Sequence, residues 1–113
     1  MNRTRYAQHI ITTLDTVRAA LGKDVSVLRL EILFHVYVND GCTQSELRER
    51  MPLVSATAMS RNLAELSALT PRKQPGLGLL RCEADTMNLR SKLVTLTAKG
   101  RRLVERLLSR NRD

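Results

Sequence analysis

The chain has 113 residues, a net charge of +8, 42% apolar residues and only 3% aromatic residues. This length suits one compact domain, and the apolar fraction excludes a generically disordered chain. The excess of Lys and Arg attracts polyanions, which leaves DNA, RNA, an anionic membrane or an acidic protein as partners. No stretch approaches the roughly 20 apolar residues of a membrane span, and no signal peptide is recognisable. We therefore expect a cytoplasmic protein without a membrane partner.

The first third of the chain predicts two helices. Residues 4–21 have apolar residues at helical spacing, and Gly22 is expected to end this amphipathic helix. Its apolar stripe comprises Tyr6, Ile10, Leu14, Val17 and Leu21. Residues 25–38, capped by Asp24 or Ser26, are apolar around most of a helix circumference, which is typical of a central, buried helix.

The next two predicted helices form a helix-turn-helix. Thr43 and Glu46 have the spacing of a capping box, in which each side chain bonds a backbone N–H at a helix start. Pro52 ends this short helix, and Ser55 is expected to cap a longer one that runs to about Leu69. The inner stripe of the longer helix is Met59, Leu63 and Leu66.

The last part of the chain predicts a hairpin and a final helix. Residues 70–78 hold two prolines and two glycines and predict a loop. Residues 79–84 and 91–96 predict two strands around a polar tip at residues 85–90. Thr97 is expected to cap the last helix, over residues 97–111. The fold class is therefore mainly α with a small β-hairpin wing (α+β), a winged helix-turn-helix in one domain over residues 1–113.

In this interpretation the helices at residues 4–21 and 97–111 flank a winged core over residues 25–96. Each flanking helix has an apolar stripe, and each large aliphatic side chain left in water costs about 1.5–3 kcal/mol. We therefore expect a homodimer in which these stripes pair across a two-fold axis. The dimerisation residues are Ile10, Leu14, Val17, Leu21, Leu103, Val104, Leu107 and Leu108.

Four segments resemble the MarR family of bacterial regulators. Residues 88–100 (NLRSKLVTLTAKG) are similar to the family's wing and exit, where an Asp-x-Arg precedes a strand and Leu-Thr-x-x-Gly opens the last helix. Residues 41–47 (GCTQSEL) are similar to its helix-turn-helix entry, residues 60–66 (SRNLAEL) to its recognition helix, and residues 78–80 to its lead into the wing. Asn88 stands where the family has Asp, and residues 70–74 form an insertion.

The resemblance implies a dimer with recognition helices in adjacent major grooves and wings at the minor groove. We therefore expect a sequence-specific regulator of transcription that binds double-stranded DNA, as a repressor on a palindromic operator. It would need no cofactor, and any small-molecule effector is unknown. The expected DNA contacts are Thr57, Ser60 and Arg61 on the recognition helix, Asn88, Arg90 and Lys92 on the wing, and Arg72 and Lys73 in the inserted loop.

Other functions remain open at the level of sequence. A winged helix can serve as a protein-interaction module in a replication or partition complex. Cys42 precedes a helix N-terminus, where the dipole can stabilise a thiolate, so a redox-sensing regulator is a further alternative. RNA binding is disfavoured by the scarcity of aromatic residues. His9 and His35 lack neighbours at metal-ligand spacing, and we find no nucleophile elbow, phosphate-binding loop or paired carboxylates, so neither a metal site nor an enzyme is predicted.

Overall fold

The computed structural model describes residues 2–39, 41–67, 76–84 and 92–109. Five helices and three strands lie within these ranges, and the mainly helical winged fold is confirmed. The elements are α1 (Arg3–Leu21), α2 (Val27–Val38), β1 (Cys42–Thr43), α3 (Gln44–Arg50), α4 (Ala56–Leu66), β2 (Leu80–Ala84), β3 (Lys92–Leu96) and α5 (Ala98–Ser109).

The predicted helix starts are confirmed by their hydrogen bonds. Thr43 Oγ1 accepts from the backbone N–H of Glu46, and the Glu46 carboxylate accepts from the backbone N–H of Thr43 at 2.8 Å. This capping box lowers the pKa of Glu46, because the Thr43 N–H stabilises the charged carboxylate. The hydroxyl oxygens of Ser26, Ser55 and Thr97 likewise accept from a backbone N–H in the first turn of α2, α4 and α5.

The sheet has a third strand that the sequence did not reveal. β1 pairs antiparallel with β3, with Cys42 opposite Val94, and β2 pairs with the other edge of β3. The strand order is β1-β3-β2. Two residues are too few to show the alternation that predicts a strand. Gly41 leads into β1 with a φ of +96°, in the region that favours glycine.

Both terminal helices contribute to the core of the single chain. α5 packs against α2 and β3, and α1 packs against α5. The expectation that both apolar stripes lie uncovered outside the winged core is therefore wrong for four residues, which are buried: Val17, Leu103, Val104 and Leu107. Leu14 and Leu21 are half-buried, whereas Ile10 and Leu108 remain exposed.

Helix α4 ends at Leu66 rather than near Leu69, which lies outside the described residues. The backbone N–H groups of residues 77–79 donate to the carbonyl oxygens of residues 65–67, at distances of 2.7 to 3.0 Å. These bonds satisfy carbonyls that the end of a helix leaves without an intrahelical partner. Residues 77–79, which lead into the wing, thus cap the C-terminal end of α4 through backbone hydrogen bonds.

The carbonyl groups of the same segment, residues 77–79, accept hydrogen bonds from residues at the start of α5. Thr97 Oγ1 donates to the carbonyl of Gly78 at 2.7 Å, and the Thr97 backbone N–H donates to the carbonyl of Leu79 at 3.0 Å. Lys99 Nζ donates to the carbonyl of Leu77 at 3.1 Å. Residues 77–79 are therefore hydrogen-bonded to both α4 and α5.

We predict that Gly100→Ala destabilises the protein. A Cβ at Gly100 would lie 2.1 Å from the carbonyl oxygen of Leu79, so α5 would have to move away from this segment. Overpacking of this kind costs on the order of 1–3 kcal/mol, although Ala is favoured over Gly in a helix by up to about 1 kcal/mol. Urea unfolding measures the difference, with the exposed Arg102→Ala as the control on the same helix. An unchanged or higher midpoint for Gly100→Ala would contradict the close packing.

Candidate nucleic-acid interface

Helix α4 has a buried face and an exposed face, as predicted. Met59, Leu63 and Leu66 are buried in the core. Thr57, Ser60 and Arg61 are exposed on the other side of the helix. This separation follows from helical periodicity, since residues three and four apart share a face.

One of these exposed residues also joins the two helices of the helix-turn-helix. Gln44 Nε2, at the first position of α3, donates to Ser60 Oγ at 3.0 Å. The bond connects α3 to the middle of α4 and adds to the buried packing that orients one helix on the other. Ser60 is therefore a positioning residue for α4, a role that the sequence did not reveal.

A polar junction holds α4 against the central helix α2. The guanidinium of Arg29 pairs with the carboxylate of Glu65, and Arg29 Nε donates to Asn62 Oδ1 at 3.1 Å. Asn62 Nδ2 in turn donates to the carbonyl of Ala58 at 2.8 Å. The groups are partly buried, where hydrogen bonds to a charged side chain are stronger than at the surface. These contacts hold α4 on α2 and so support the exposed face of α4.

The wing is described only at its base. The β2–β3 ladder runs from Leu80 opposite Leu96 to Ala84 opposite Lys92, and Lys92 is exposed at the outer end of the ladder. The other predicted contacts of the wing and the inserted loop, Asn88, Arg90, Arg72 and Lys73, lie outside the described residues. The base of the ladder continues directly from the segment that closes α4.

Cys42 is buried, with 3% of its surface exposed. Burial raises the pKa of its thiol, because the apolar surroundings disfavour the charged thiolate, and this effect exceeds the opposite effect of Arg50. The thiolate is the species that oxidants attack. The environment of Cys42 is therefore that of a structural thiol, and it weakens the redox-sensing alternative.

The described part of the chain shows neither a metal-binding cluster nor a membrane-spanning helix. Within it, no group of three or more His, Cys, Asp or Glu side chains is placed to hold a metal ion. None of the helices there has the length and apolar character needed to cross a membrane.

The fold is shared with solved structures of bacterial proteins. A mutant of MarR from E. coli complexed with operator DNA superposes with a TM-score of 0.64 at 18% identity, over 92% of this chain and 69% of that chain. The chain has the winged-helix fold of MarR. YusO from Bacillus subtilis (TM-score 0.67, 20% identity, 94% of this chain and 67% of that one) and the transcriptional regulator Tm0710 from Thermotoga maritima (0.68, 18%, 94% and 69%) share it.

No family model and no curated protein sequence matches the chain. The likeness to MarR therefore rests on the fold. It confirms the winged helix-turn-helix that the four sequence segments predicted.

We predict that Cys42 reacts slowly in the folded protein. In a Cys82→Ser background, where Cys42 is the remaining thiol, alkylation by iodoacetamide should be at least about tenfold slower than in the urea-unfolded chain, because burial limits both access and ionisation. Mass spectrometry measures the rate. The matched Cys42→Ser variant reports the reaction of Cys82, which is half-buried. Equal rates for Cys42 in the folded and unfolded chains would restore the redox-sensing alternative.

Proposed function

We propose that this protein is a sequence-specific regulator of transcription that binds double-stranded DNA as a homodimer. The observation that carries the proposal is the exposed face of α4, which is held in place by Gln44 from α3 and by Arg29 from α2. A recognition helix must present polar side chains on a rigid support to read base edges. The net charge of +8 favours association with a polyanion, and MarR, solved with operator DNA, has the same fold.

In the proposed complex α4 enters the major groove. Arg61 is exposed on this helix and is suited to a bidentate contact with guanine. Thr57, one turn earlier on the same face, can hydrogen-bond a base edge or a phosphate. Ser60 keeps its bond to Gln44 and sets the angle at which α4 approaches the DNA.

The wing and the inserted loop supply the remaining proposed contacts. Lys92 is exposed at the outer end of the β2–β3 ladder. Asn88 and Arg90, in the segment that the sequence predicts as the wing tip, are proposed to contact DNA as well. An arginine at the tip suits the minor groove, where narrow tracts concentrate negative potential. Arg72 and Lys73 are proposed to contact phosphates, which adds affinity with little sequence preference.

The homodimer is supported by the apolar surface that the single chain leaves uncovered. Tyr6, Ile10 and Ile11 are exposed on α1, and Leu108 is exposed on α5, which packs against α1. Large apolar side chains exposed on two helices that pack together favour a protein interface. A two-fold dimer would place two copies of α4 about 34–36 Å apart, one helical turn of DNA, which suits a repressor on a palindromic operator.

We predict that Arg61→Ala weakens binding to the preferred duplex by roughly 1–3 kcal/mol and removes discrimination at one base pair in each half-site. Selection from random duplexes identifies the preferred sequence, and fluorescence anisotropy then measures affinity at several salt concentrations. Arg102→Ala is the matched control, since it removes one exposed positive charge from α5 without altering α4. It should lower affinity for specific and random duplexes equally.

Two results would contradict the proposal. If Arg61→Ala keeps the ratio of specific to random affinity, α4 does not read the sequence. If wild-type binding to every duplex is weak and changes little with salt, the counterion release that accompanies phosphate contacts is missing. A protein-interaction module would then be the better interpretation.

We predict that Ile10→Glu converts the dimer into a folded monomer. Ile10 is 47% exposed in the single chain, so a charge there should leave the core intact and disfavour only the paired state. Leu107→Glu is unsuitable for this purpose, because Leu107 is buried in the monomer. Light scattering on a size-exclusion column should give twice the chain mass of 12.8 kDa for wild type and that mass for the variant.

The control for the dimer is Val27→Glu, which places the same charge on another exposed apolar residue, at the start of α2. It should remain dimeric. A wild-type mass of one chain at micromolar concentration, or a dimeric Ile10→Glu with unchanged dissociation, would rule out the proposed interface.

A further inference from the structure

The turn between α3 and α4 is apolar and exposed. Residues 51–60 contain no charged residue, although 27% of the chain is charged. Leu53 lies in this turn, two residues before the N-cap of α4, and its side chain is fully exposed (100%). Ala56 and Thr57, in the first turn of α4, are exposed as well. The N-terminal end of α4 therefore presents methyl groups, and the nearest charged residues along the chain are Arg50 and Arg61.

The turn is anchored on both sides of Leu53. Met51 is buried in the core, and Val54 is half-buried and packs against it. The backbone N–H of Val54 donates to the carbonyl of Met51 at 3.1 Å. With Met51 and Val54 packed on the core, the backbone of the turn is anchored on both sides of the exposed Leu53.

We propose that Leu53, together with Ala56 and the methyl group of Thr57, recognises the 5-methyl group of thymine in the major groove. The inference rests on the proposed function, because it concerns the part of α4 that would meet the base edges first. The thymine methyl is the apolar group of the major-groove edge, and aliphatic side chains are its natural contacts. The absence of charge over residues 51–60 suits contact with this methyl group rather than with a phosphate.

The methyl contact can be measured by replacing thymine with deoxyuridine, which lacks this methyl group and keeps the same base pairing. Each thymine of the selected half-site is replaced singly, and the affinity of wild type is compared with that of Leu53→Ser. Burial of one methyl group corresponds to about a fourfold change in affinity. We expect wild type to lose about fourfold at one or more thymines. Leu53→Ser should bind thymine and deoxyuridine about equally at one of those positions.

Val38→Ser is the matched control, since Val38 is exposed to a similar degree (77%) on α2. It should keep the wild-type ratio at every thymine. Because both side chains are exposed, neither substitution should alter the unfolding midpoint, which is measured in parallel.

The outcomes separate this inference from the proposed function. If wild type selects a duplex but deoxyuridine at no position weakens binding, or if Leu53→Ser keeps every wild-type ratio, sequence-specific DNA binding stands and the recognition of thymine by Leu53 is wrong. If no duplex is selected at all, the proposed function fails and this inference fails with it.

Discussion

The position of the wing depends on the short backbone segment at residues 76–79, which is bonded on two sides. Its N–H groups close the end of α4, and its carbonyl groups accept from the first residues of α5. The approach is close enough that a Cβ at Gly76 would lie 2.0 Å from the Ser67 carbonyl oxygen. Because the strand β2 starts directly after this segment, the base of the wing is hydrogen-bonded to the end of α4, and these bonds oppose a tilt of one against the other.

The contacts of α4 leave one of its faces exposed. Its apolar face completes the core, and its flanks are held by Asn62 and Glu65 on one side and Ser60 on the other. Only the outward face is left without a structural task among the described contacts. In the proposed complex, a helix that is already supported on three sides would lose little backbone entropy on binding, so less of the free energy of contacts by Thr57 or Arg61 would be offset.

The features that the sequence predicted are local, and those it missed depend on distant residues. Caps such as Thr43 and Ser55, and the stripe of α4, are set by neighbours within four positions and follow from spacing alone. The junction of Arg29 with Asn62 joins residues 33 positions apart, and the pairing of Cys42 with Val94 spans a still longer separation. The apolar stripe of α5 was recognised correctly, but periodicity cannot show what covers it, and Leu107 proved to be covered by its own chain.

Because part of its apolar stripe is buried, helix α5 belongs to the core of the single chain as well as to the proposed dimer interface. Helix α5 is 12 residues long, about 18 Å at 1.5 Å per residue. At its start, Thr97 and Lys99 hold the base of the wing; near its end, Leu108 is exposed on the proposed interface while the preceding Leu107 is buried. One continuous helix, fixed in the core along its length, therefore connects the two surfaces. In the proposed dimer the distance between the two recognition helices is set by how α1 and α5 pair, and the rigidity of α5 is what allows that pairing to determine the spacing of half-sites on DNA.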